Sequence, residues 1–378
     1  MSLPIQDPTR TRFDSLDSLR FIAAMIALTA HAREMHDGLM VNAIADSYFF
    51  HRKSAVAFFF VLSGFVLHLS CKGAWPTLKS WTGFTIKRVF RLHPLYLASL
   101  LLALAVISLV PLDKCLWYKE DTPWRMTFDF DHSNLRQWIH HMLLVTPGID
   151  PNFLNPPIWT LAVEMKMALI FPWVSWMMSR LSMVVGLLLT VVFMLFAPQV
   201  GNLTLPVIGL LPLFMIGAWG AQHYKKLSGW LQSRLNWRSF LLLTTGLIIY
   251  GCASMLRRYH DRDSEVQQFQ AAGFGAILIM LAVINMPKLN RFLSSRALVL
   301  GGVLSYGIYV FHYPIYLGIL CYTGPETASA NVFYFLGLAI TFVIAWILNR
   351  WLEVPMIQVG RSIADRFFST KPKPPAQG

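Results

Sequence analysis

The sequence predicts an all-α polytopic integral membrane protein with about ten transmembrane helices and both termini in the cytoplasm. Three observations support this fold class. The 378 residues are 55% hydrophobic and only 13% charged, with a mean hydropathy of +0.51, whereas soluble domains carry about 25% charged residues. Ten stretches come near the roughly 17–25 apolar residues that span a bilayer core. Basic residues are distributed unequally between the loops that these stretches leave on the two sides.

The ten predicted spans follow one another along the chain. Their approximate bounds are 19–34, 54–71, 92–111, 157–178, 181–197, 205–222, 239–256, 269–286, 297–320 and 332–352. The long loop between the third and fourth spans contains a further apolar stretch, 135–145, which includes Arg136, His140 and His141. Because it is too short and too polar to cross the membrane, we expect an interfacial or re-entrant helix there.

The distribution of basic residues sets the orientation. With the N-terminus in the cytoplasm, the loops on that side hold about twice as many Lys and Arg residues as the outer loops, as expected of cytoplasmic loops. This bias accounts for most of the net charge of +13, so nucleic-acid binding is not predicted. The chain then divides into a cytoplasmic N-terminal segment (1–18), one membrane domain (19–355) and a disordered cytoplasmic tail (356–378).

The cysteines do not predict a metal site. The four lie far apart, and none belongs to a CxxC pair or to a Cys/His cluster with metal-ligand spacing. Their positions are Cys71, Cys115, Cys252 and Cys321. We expect unpaired thiols, no bound metal and no permanently bound cofactor.

Ionisable residues inside spans are costly and are therefore candidate functional residues. Arg20 and His31 are eleven residues apart in the first span. This is close to three helical turns, or about 16 Å, so the two side chains share one face. The pattern suggests a polar path across the membrane. The alternative is an arginine that extends to the interface and a histidine that is hydrogen-bonded within the bundle.

Two arginines precede the third span. Arg88 and Arg91 are suited to bidentate binding of phosphate. The alternative is that they only contribute positive charge to a cytoplasmic loop.

Polar residues of the fourth and ninth spans are predicted to meet His31. Glu164 lies about 10 Å from the outer end of its span and needs a partner, for which His31 is the candidate at similar depth. Ser305, Tyr309 and His312 recur at i, i+4 and i+7, so they share a face that points into the bundle. We therefore expect His31, Glu164 and His312 to converge. The alternatives for Glu164 are a structural ion pair or a protonated carboxyl group.

The polar residues described above belong to longer sequence blocks, which are Leu16-Asp-Ser-Leu-Arg20-Phe-Ile-Ala with His31, Val56-Ala-Phe-Phe-Phe-Val-Leu-Ser-Gly-Phe65, Arg88-Val-Phe-Arg91-Leu-His-Pro-Leu-Tyr96, Trp159-Thr-Leu-Ala-Val-Glu164 and Ser305-Tyr-Gly-Ile-Tyr-Val-Phe-His312-Tyr-Pro314. With these blocks, the chain from about residue 14 to 355 resembles the acyltransferase-3 family of membrane acyltransferases, which acylate mainly cell-surface carbohydrates. Each block is modest alone, but together and in order they are specific.

The resemblance implies a substrate class and a location. The donor would be a cytoplasmic acyl-CoA, most often acetyl-CoA as a co-substrate. The acceptor would be a hydroxyl group of a cell-surface or exported glycan, or of a lipid-linked saccharide. The protein would lie in the bacterial inner membrane, in contact with lipid. Arg88 and Arg91 would bind the phosphates of CoA, and Arg20 would guide its pantetheine arm.

An alcohol needs a general base to attack a thioester near neutral pH. His31 is the candidate base, with Glu164 as the carboxylate that orients it. Ser305, Tyr306, Tyr309 and His312 are candidates for donating hydrogen bonds to the oxyanion or for positioning the sugar. A covalent acyl-histidine relay is the alternative mechanism.

Two other function classes fit ten spans with polar residues at mid-depth. One is a transporter or exporter of an acidic metabolite or a lipid-linked sugar. It predicts paired helix breaks in two related halves, and the Pro206 and Pro212 pair in the sixth span has no counterpart. The other is a membrane scaffold, which leaves His31 and Glu164 unexplained. The acyltransferase is therefore preferred, with its oligomeric state undetermined.

Overall fold

The computed structural model describes residues 13–35, 51–71, 73–109, 135–144, 154–201, 206–231, 236–258, 262–323 and 330–368. Most of these residues lie in helices, and the described ranges contain no strand. The helices are α1 (Asp14–Met35), α2 (Arg52–Cys71), α3 (Leu78–Leu109), α4 (Leu135–Leu143), α5 (Trp159–Arg180), α6 (Met183–Gly201), α7 (Pro206–Leu231), α8 (Trp237–Cys252), α9 (Arg262–Asn285), α10 (Pro287–Leu293), α11 (Arg296–Thr323), α12 (Ala330–Leu348) and α13 (Val354–Phe368). A π-helical turn, Asn349–Glu353, joins α12 to α13.

The all-α prediction is confirmed, and each of the ten predicted spans overlaps one of these helices. Seven helical stretches in the described ranges are long and apolar enough to cross a membrane. The other three predicted spans lie on α1, α6 and α7. The stretch at 135–145 forms the short helix α4, with nine residues.

Two predicted boundaries differ from the helices of the structure. Helix α3 begins at Leu78, before the predicted span at 92, so Arg88 and Arg91 lie within the helix. Residues 356–368, predicted to be disordered, form most of α13. Residues 369–378 of the predicted tail, and residues 1–12 of the predicted N-terminal segment, lie outside the described residues.

Helix α13 is ordered because it packs on α3. Its buried Gly360 and Ala364 are four residues apart and form one stripe. The ring of Phe90 lies where a side chain at position 360 would stand. An ion pair of 2.7 Å between Lys87 and Asp365 also joins the two helices. A hydropathy pattern does not reveal the contact between α13 and α3, because the contact depends on the absence of a side chain at Gly360 opposite the ring of Phe90.

Close backbone contacts hold α2 against α7. A Cβ atom added at Gly64 would clash with the backbone of Phe214, and one added at Gly217 would clash with the backbone of Val61. Small residues allow membrane helices to approach in this way, and the approach allows van der Waals packing. A similar contact places Gly302 of α11 against the backbone of Asp17 in α1. These contacts fix the rotation of the helices that carry the candidate site.

Candidate active site

A cleft between α1, α2, α3, α5 and α11 contains most of the sequence-predicted site residues. Its volume is about 730 Å³, including the part that opens to the outside. Its charged residues are Arg20, Arg88, Arg91 and Glu164. The hydroxyl groups in its wall belong to Ser63, Thr160, Ser305, Tyr306 and Tyr309. The remaining lining side chains are apolar: Val56, Phe59, Phe60, Val66, Leu67, Leu92 and Leu161.

The charged residues form an arginine cluster at one end of the cleft. Arg88 makes an ion pair with Glu164, and the Ser63 hydroxyl donates to the same carboxylate oxygen at 3.2 Å. Arg20 makes an ion pair of 3.2 Å with Asp17. Arg91 has no hydrogen bond or ion pair within the described ranges, and the Nε of Arg88 is buried without a partner there. Arg91, which lines the cleft, therefore retains unused donors for an anion.

Glu353 is a second buried carboxylate close to this cluster. It is 6% exposed, accepts a hydrogen bond of 2.7 Å from Asn349, and lies within electrostatic range of Arg91 and Arg20. It stands in the π-helical turn that ends α12, and such turns are frequent at functional sites. Sequence reasoning missed Glu353 because it falls just beyond the predicted tenth span. The sequence signal that could have identified Glu353 is a carboxylate at the end of an apolar stretch.

The predicted contact between Glu164 and His31 is wrong. Glu164 lies among Arg88, Arg91 and Arg20, and its hydrogen bonds go to Arg88 and Ser63. The estimate of depth from the end of the span placed it near His31, but the rotation of α5 directs its side chain to α2 and α3. Glu164 therefore neutralises an arginine and does not orient the histidine.

His31 belongs to a second group, the histidine cluster, which consists of His31, Glu34, Arg52 and His312. The rings of His31 and His312 are 5.3 Å apart, which confirms that these two residues converge. The Nδ1 of His31 lies 3.5 Å from the Oε2 of Glu34, and the same oxygen accepts a hydrogen bond of 2.9 Å from Arg52. Sequence reasoning missed Glu34, although its i+3 spacing from His31 places the two on neighbouring positions of one face.

His312 is fully buried and has a defined tautomer. Its Nδ1 lies 3.2 Å from the carbonyl oxygen of Ile308. Because a carbonyl oxygen can only accept, this nitrogen carries the hydrogen of the neutral ring. Nε2 is then an acceptor, and it has no partner in the described part of the chain. A buried acceptor without a donor is rare in folded proteins and suits a hydroxyl group of a ligand.

Each of the four predicted oxyanion donors already donates its hydrogen to another group of the protein. Ser305 donates to Gly302 at 2.7 Å, and Tyr306 donates to Leu92 at 2.5 Å. Tyr309 donates to the carbonyl oxygen of Pro157 at 3.1 Å, and His312 donates to Ile308. All four acceptors are backbone carbonyl groups. Ser305, Tyr306 and Tyr309 therefore form the wall of the cleft, and none of the four offers a free hydrogen to an oxyanion.

The cleft connects the arginine cluster with the neighbourhood of the histidine cluster. Its lining residues on α2 extend from Leu67 to Val56, eleven residues or about 16 Å along the helix. Val56 is one turn from Arg52. On α11, the ring of Tyr309 lines the cleft and lies 5.8 Å from the ring of His312. An extended molecule could therefore lie with an anionic end at the arginines and a reactive end near the two histidines.

A family model described as an acyltransferase domain, Acyl_transf_3, matches residues 13–350. The match covers every residue of both clusters, and Glu353 lies just beyond its end. No match was found among curated proteins or among solved structures.

Proposed function

The chain belongs to the acyltransferase-3 family of membrane acyltransferases, and on this premise we propose that it transfers an acyl group, with acetyl as the first candidate, from cytoplasmic acyl-CoA to a hydroxyl group of a cell-surface or exported glycan. His31 is the general base of the proposal. One observation carries it. A single cleft extends from a cluster of arginines to the neighbourhood of a pair of buried histidines, as a donor with an anionic end and a reactive end requires.

The arginine cluster supports a polyanionic donor. Arg91 and the Nε of Arg88 have no partner within the described residues, and guanidinium groups bind phosphate with charge-assisted hydrogen bonds. Arg20 stands beside them in the cleft wall. Beyond the arginines the lining is largely apolar, which suits an uncharged arm that ends in a thioester.

The histidine cluster supports the proton transfer. In the proposed step, the acceptor hydroxyl oxygen attacks the thioester carbonyl carbon while the Nε2 of His31 takes the hydroxyl proton. The tetrahedral intermediate then collapses, the C–S bond breaks, and the imidazolium returns the proton to the leaving thiolate. The unpartnered Nε2 of His312 can accept a second hydrogen bond from the acceptor molecule. A covalent route uses the same nitrogen, with His31 attacking first and the alcohol receiving the acyl group from the acyl-imidazole.

The first experiment measures transfer of label from acetyl-CoA to surface glycan in membranes that contain the wild type, His31→Ala or His223→Ala at equal protein levels. His223 is the matched control, because it lies on α7, outside both clusters. We expect label in the glycan with the wild type and His223→Ala, and none with His31→Ala. Equal labelling by all three proteins would remove His31 as the base.

A failure of the wild type has two distinguishable meanings. If acetyl-CoA raises the melting temperature of the protein but no glycan is labelled, the donor assignment stands and the acceptor assignment is wrong. If acetyl-CoA neither stabilises the protein nor donates label, transport of an acidic metabolite or a lipid-linked sugar replaces acyl transfer as the proposal.

A further inference from the structure

We propose that Glu34, held in place by Arg52, is the positioning residue of His31. The inference rests on the proposed function, because it assigns a partner to the general base. It replaces Glu164, which the sequence had suggested for this role and which lies in the arginine cluster. Neither Glu34 nor Arg52 belongs to the motif blocks on which the family resemblance depends.

The contacts form a chain of three side chains across two helices. His31 and Glu34 are one turn apart on α1, and Nδ1 and Oε2 are 3.5 Å apart. Arg52 opens α2 and donates to the same Oε2 at 2.9 Å. The histidine-to-carboxylate distance is longer than an ordinary hydrogen bond. Catalytic hydrogen bonds are often long in a ligand-free protein and shorten when the substrate is bound.

The position of Glu34 favours one tautomer of His31. The Nδ1 of His31 lies 3.5 Å from the carboxylate and has no hydrogen-bond partner within the described ranges, so a hydrogen on Nδ1 is stabilised by the carboxylate and leaves the lone pair on Nε2. His312 has the same tautomer, because Ile308 accepts from its Nδ1. The two rings are neighbours, so two acceptor nitrogens are available in the same region. Of the two rings, His31 is the one with a carboxylate beside it in the described ranges, so His31 can hold a second proton at the lower electrostatic cost.

The charged surroundings of His31 support this assignment. Tyr313 and His312 face it from α11, and Arg52 faces it from α2. Among the residues that the structure describes, Glu34 is the one carboxylate in contact with it. The His31 side chain is 7% exposed, and an imidazolium in such a place is costly unless an opposite charge lies close to it. Glu34 provides that charge, and Arg52 holds the carboxylate at the ring.

A neighbouring ion pair supplies a matched control. Lys53 follows Arg52 directly and makes an ion pair of 2.6 Å with Glu265 of α9. The pair therefore joins α2 to a neighbouring helix close to Arg52, as the Glu34 contact does. Within the described part of the chain, Glu265 contacts neither His31 nor His312. Glu265→Gln, like Glu34→Gln, removes one negative charge near the start of α2. Unlike Glu34→Gln, it leaves the carboxylate beside His31 in place.

The test compares Glu34→Gln, Glu34→Asp, Arg52→Gln and Glu265→Gln in the acetyl-transfer assay, with kcat and KM for acetyl-CoA measured separately. We expect Glu34→Gln to lower kcat by at least about tenfold, a part of the roughly 10²–10⁴-fold that a positioned general base contributes. KM for acetyl-CoA should change less than about twofold, because the donor's anionic end is bound at the other cluster. Glu34→Asp should recover most of kcat, Arg52→Gln should cause a smaller loss than Glu34→Gln, and Glu265→Gln should match the wild type.

Melting temperatures of the same variants separate positioning from stability. Loss of kcat in Glu34→Gln at an unchanged melting temperature, with recovery in Glu34→Asp, supports the assignment. Unchanged kcat in Glu34→Gln overturns it, and so does an equal loss in Glu265→Gln. Full activity in His31→Ala would overturn the proposed role of His31 as the general base. This outcome is distinct from a failure of the Glu34 assignment, because the His31→Ala variant leaves Glu34 intact.

Discussion

Glu164 and Arg88 form a buried ion pair between α5 and α3, and Ser63 of α2 donates to the same carboxylate oxygen. Three helices thus meet at one carboxylate, at the arginine end of the cleft. The pair keeps the Arg88 side chain in the cleft wall, and its Nε is buried without a hydrogen-bond partner in the described ranges. Glu164 is therefore expected to act on donor binding and on stability, and only indirectly on the chemical step.

Removing one member of this pair should cost more stability than removing both. Glu164→Gln or Arg88→Gln leaves a poorly hydrated charge, which costs about 3–5 kcal/mol in buried pairs. The partial exposure of the two side chains, 10% and 21%, places the expected loss near the lower limit. The double variant should recover part of the free energy of unfolding. Thermal unfolding in detergent measures the coupling, and additive losses would show that the two residues act independently.

Arg91→Ala should weaken donor binding with little effect on stability. The guanidinium lines the cleft and makes no hydrogen bond or ion pair to another described residue, so the loss is limited to its longer-range attraction for Glu164 and Glu353. A charge-assisted hydrogen bond contributes about 1.5–3 kcal/mol, so KM for acetyl-CoA should rise roughly 10- to 100-fold. Lys87→Ala is the control, because Lys87 pairs with Asp365 at an exposed position. An unchanged KM in Arg91→Ala would exclude Arg91 from the donor site.

Gly217→Ala should destabilise the protein, because the added Cβ would collide with the backbone of Val61. Backbone atoms cannot move away as a flexible side chain can, so the cost should reach the upper part of the roughly 1–3 kcal/mol seen on overpacking. Gly229→Ala, on the same helix, meets nothing within 4 Å and should be neutral or slightly stabilising. Equal melting temperatures for the two variants would contradict the close approach of α2 and α7.

Tyr309→Phe should leave most of the activity. The Tyr309 hydroxyl donates to Pro157 and contacts the Thr160 hydroxyl at 3.0 Å, so it has no hydrogen left for an oxyanion. Thr160 also bonds to Pro157 at 3.0 Å, which keeps that carbonyl satisfied in the variant. We expect a loss of about 0.5–1.5 kcal/mol in stability and a fall in kcat of less than about tenfold. A fall in kcat of roughly 100-fold at unchanged stability would show that the Tyr309 hydroxyl takes part in the chemical step.

The sequence predicted the candidate residues better than it predicted their partners. Ionisable groups in or beside apolar spans are few and costly, so Arg20, His31, Arg88, Arg91 and Glu164 could be selected from their positions in the sequence. Helical spacing also placed Tyr309 and His312 on one face of α11. The partner of Glu164 was predicted wrongly, since the prediction used depth along a span and had no information on the rotation of each helix about its axis.

Hydropathy, helical periodicity and the position of charged residues by themselves determined an all-α membrane protein and most of the residues of its site, because these are local properties of the chain. Tertiary structure decided which charges meet: Glu164 with Arg88, Glu34 with His31 and Arg52, and Glu353 beside Arg91 and Arg20. Those pairings depend on the rotation and the closeness of neighbouring helices. Both are set by contacts such as Gly64 against Phe214, in which a missing side chain lets two backbones touch.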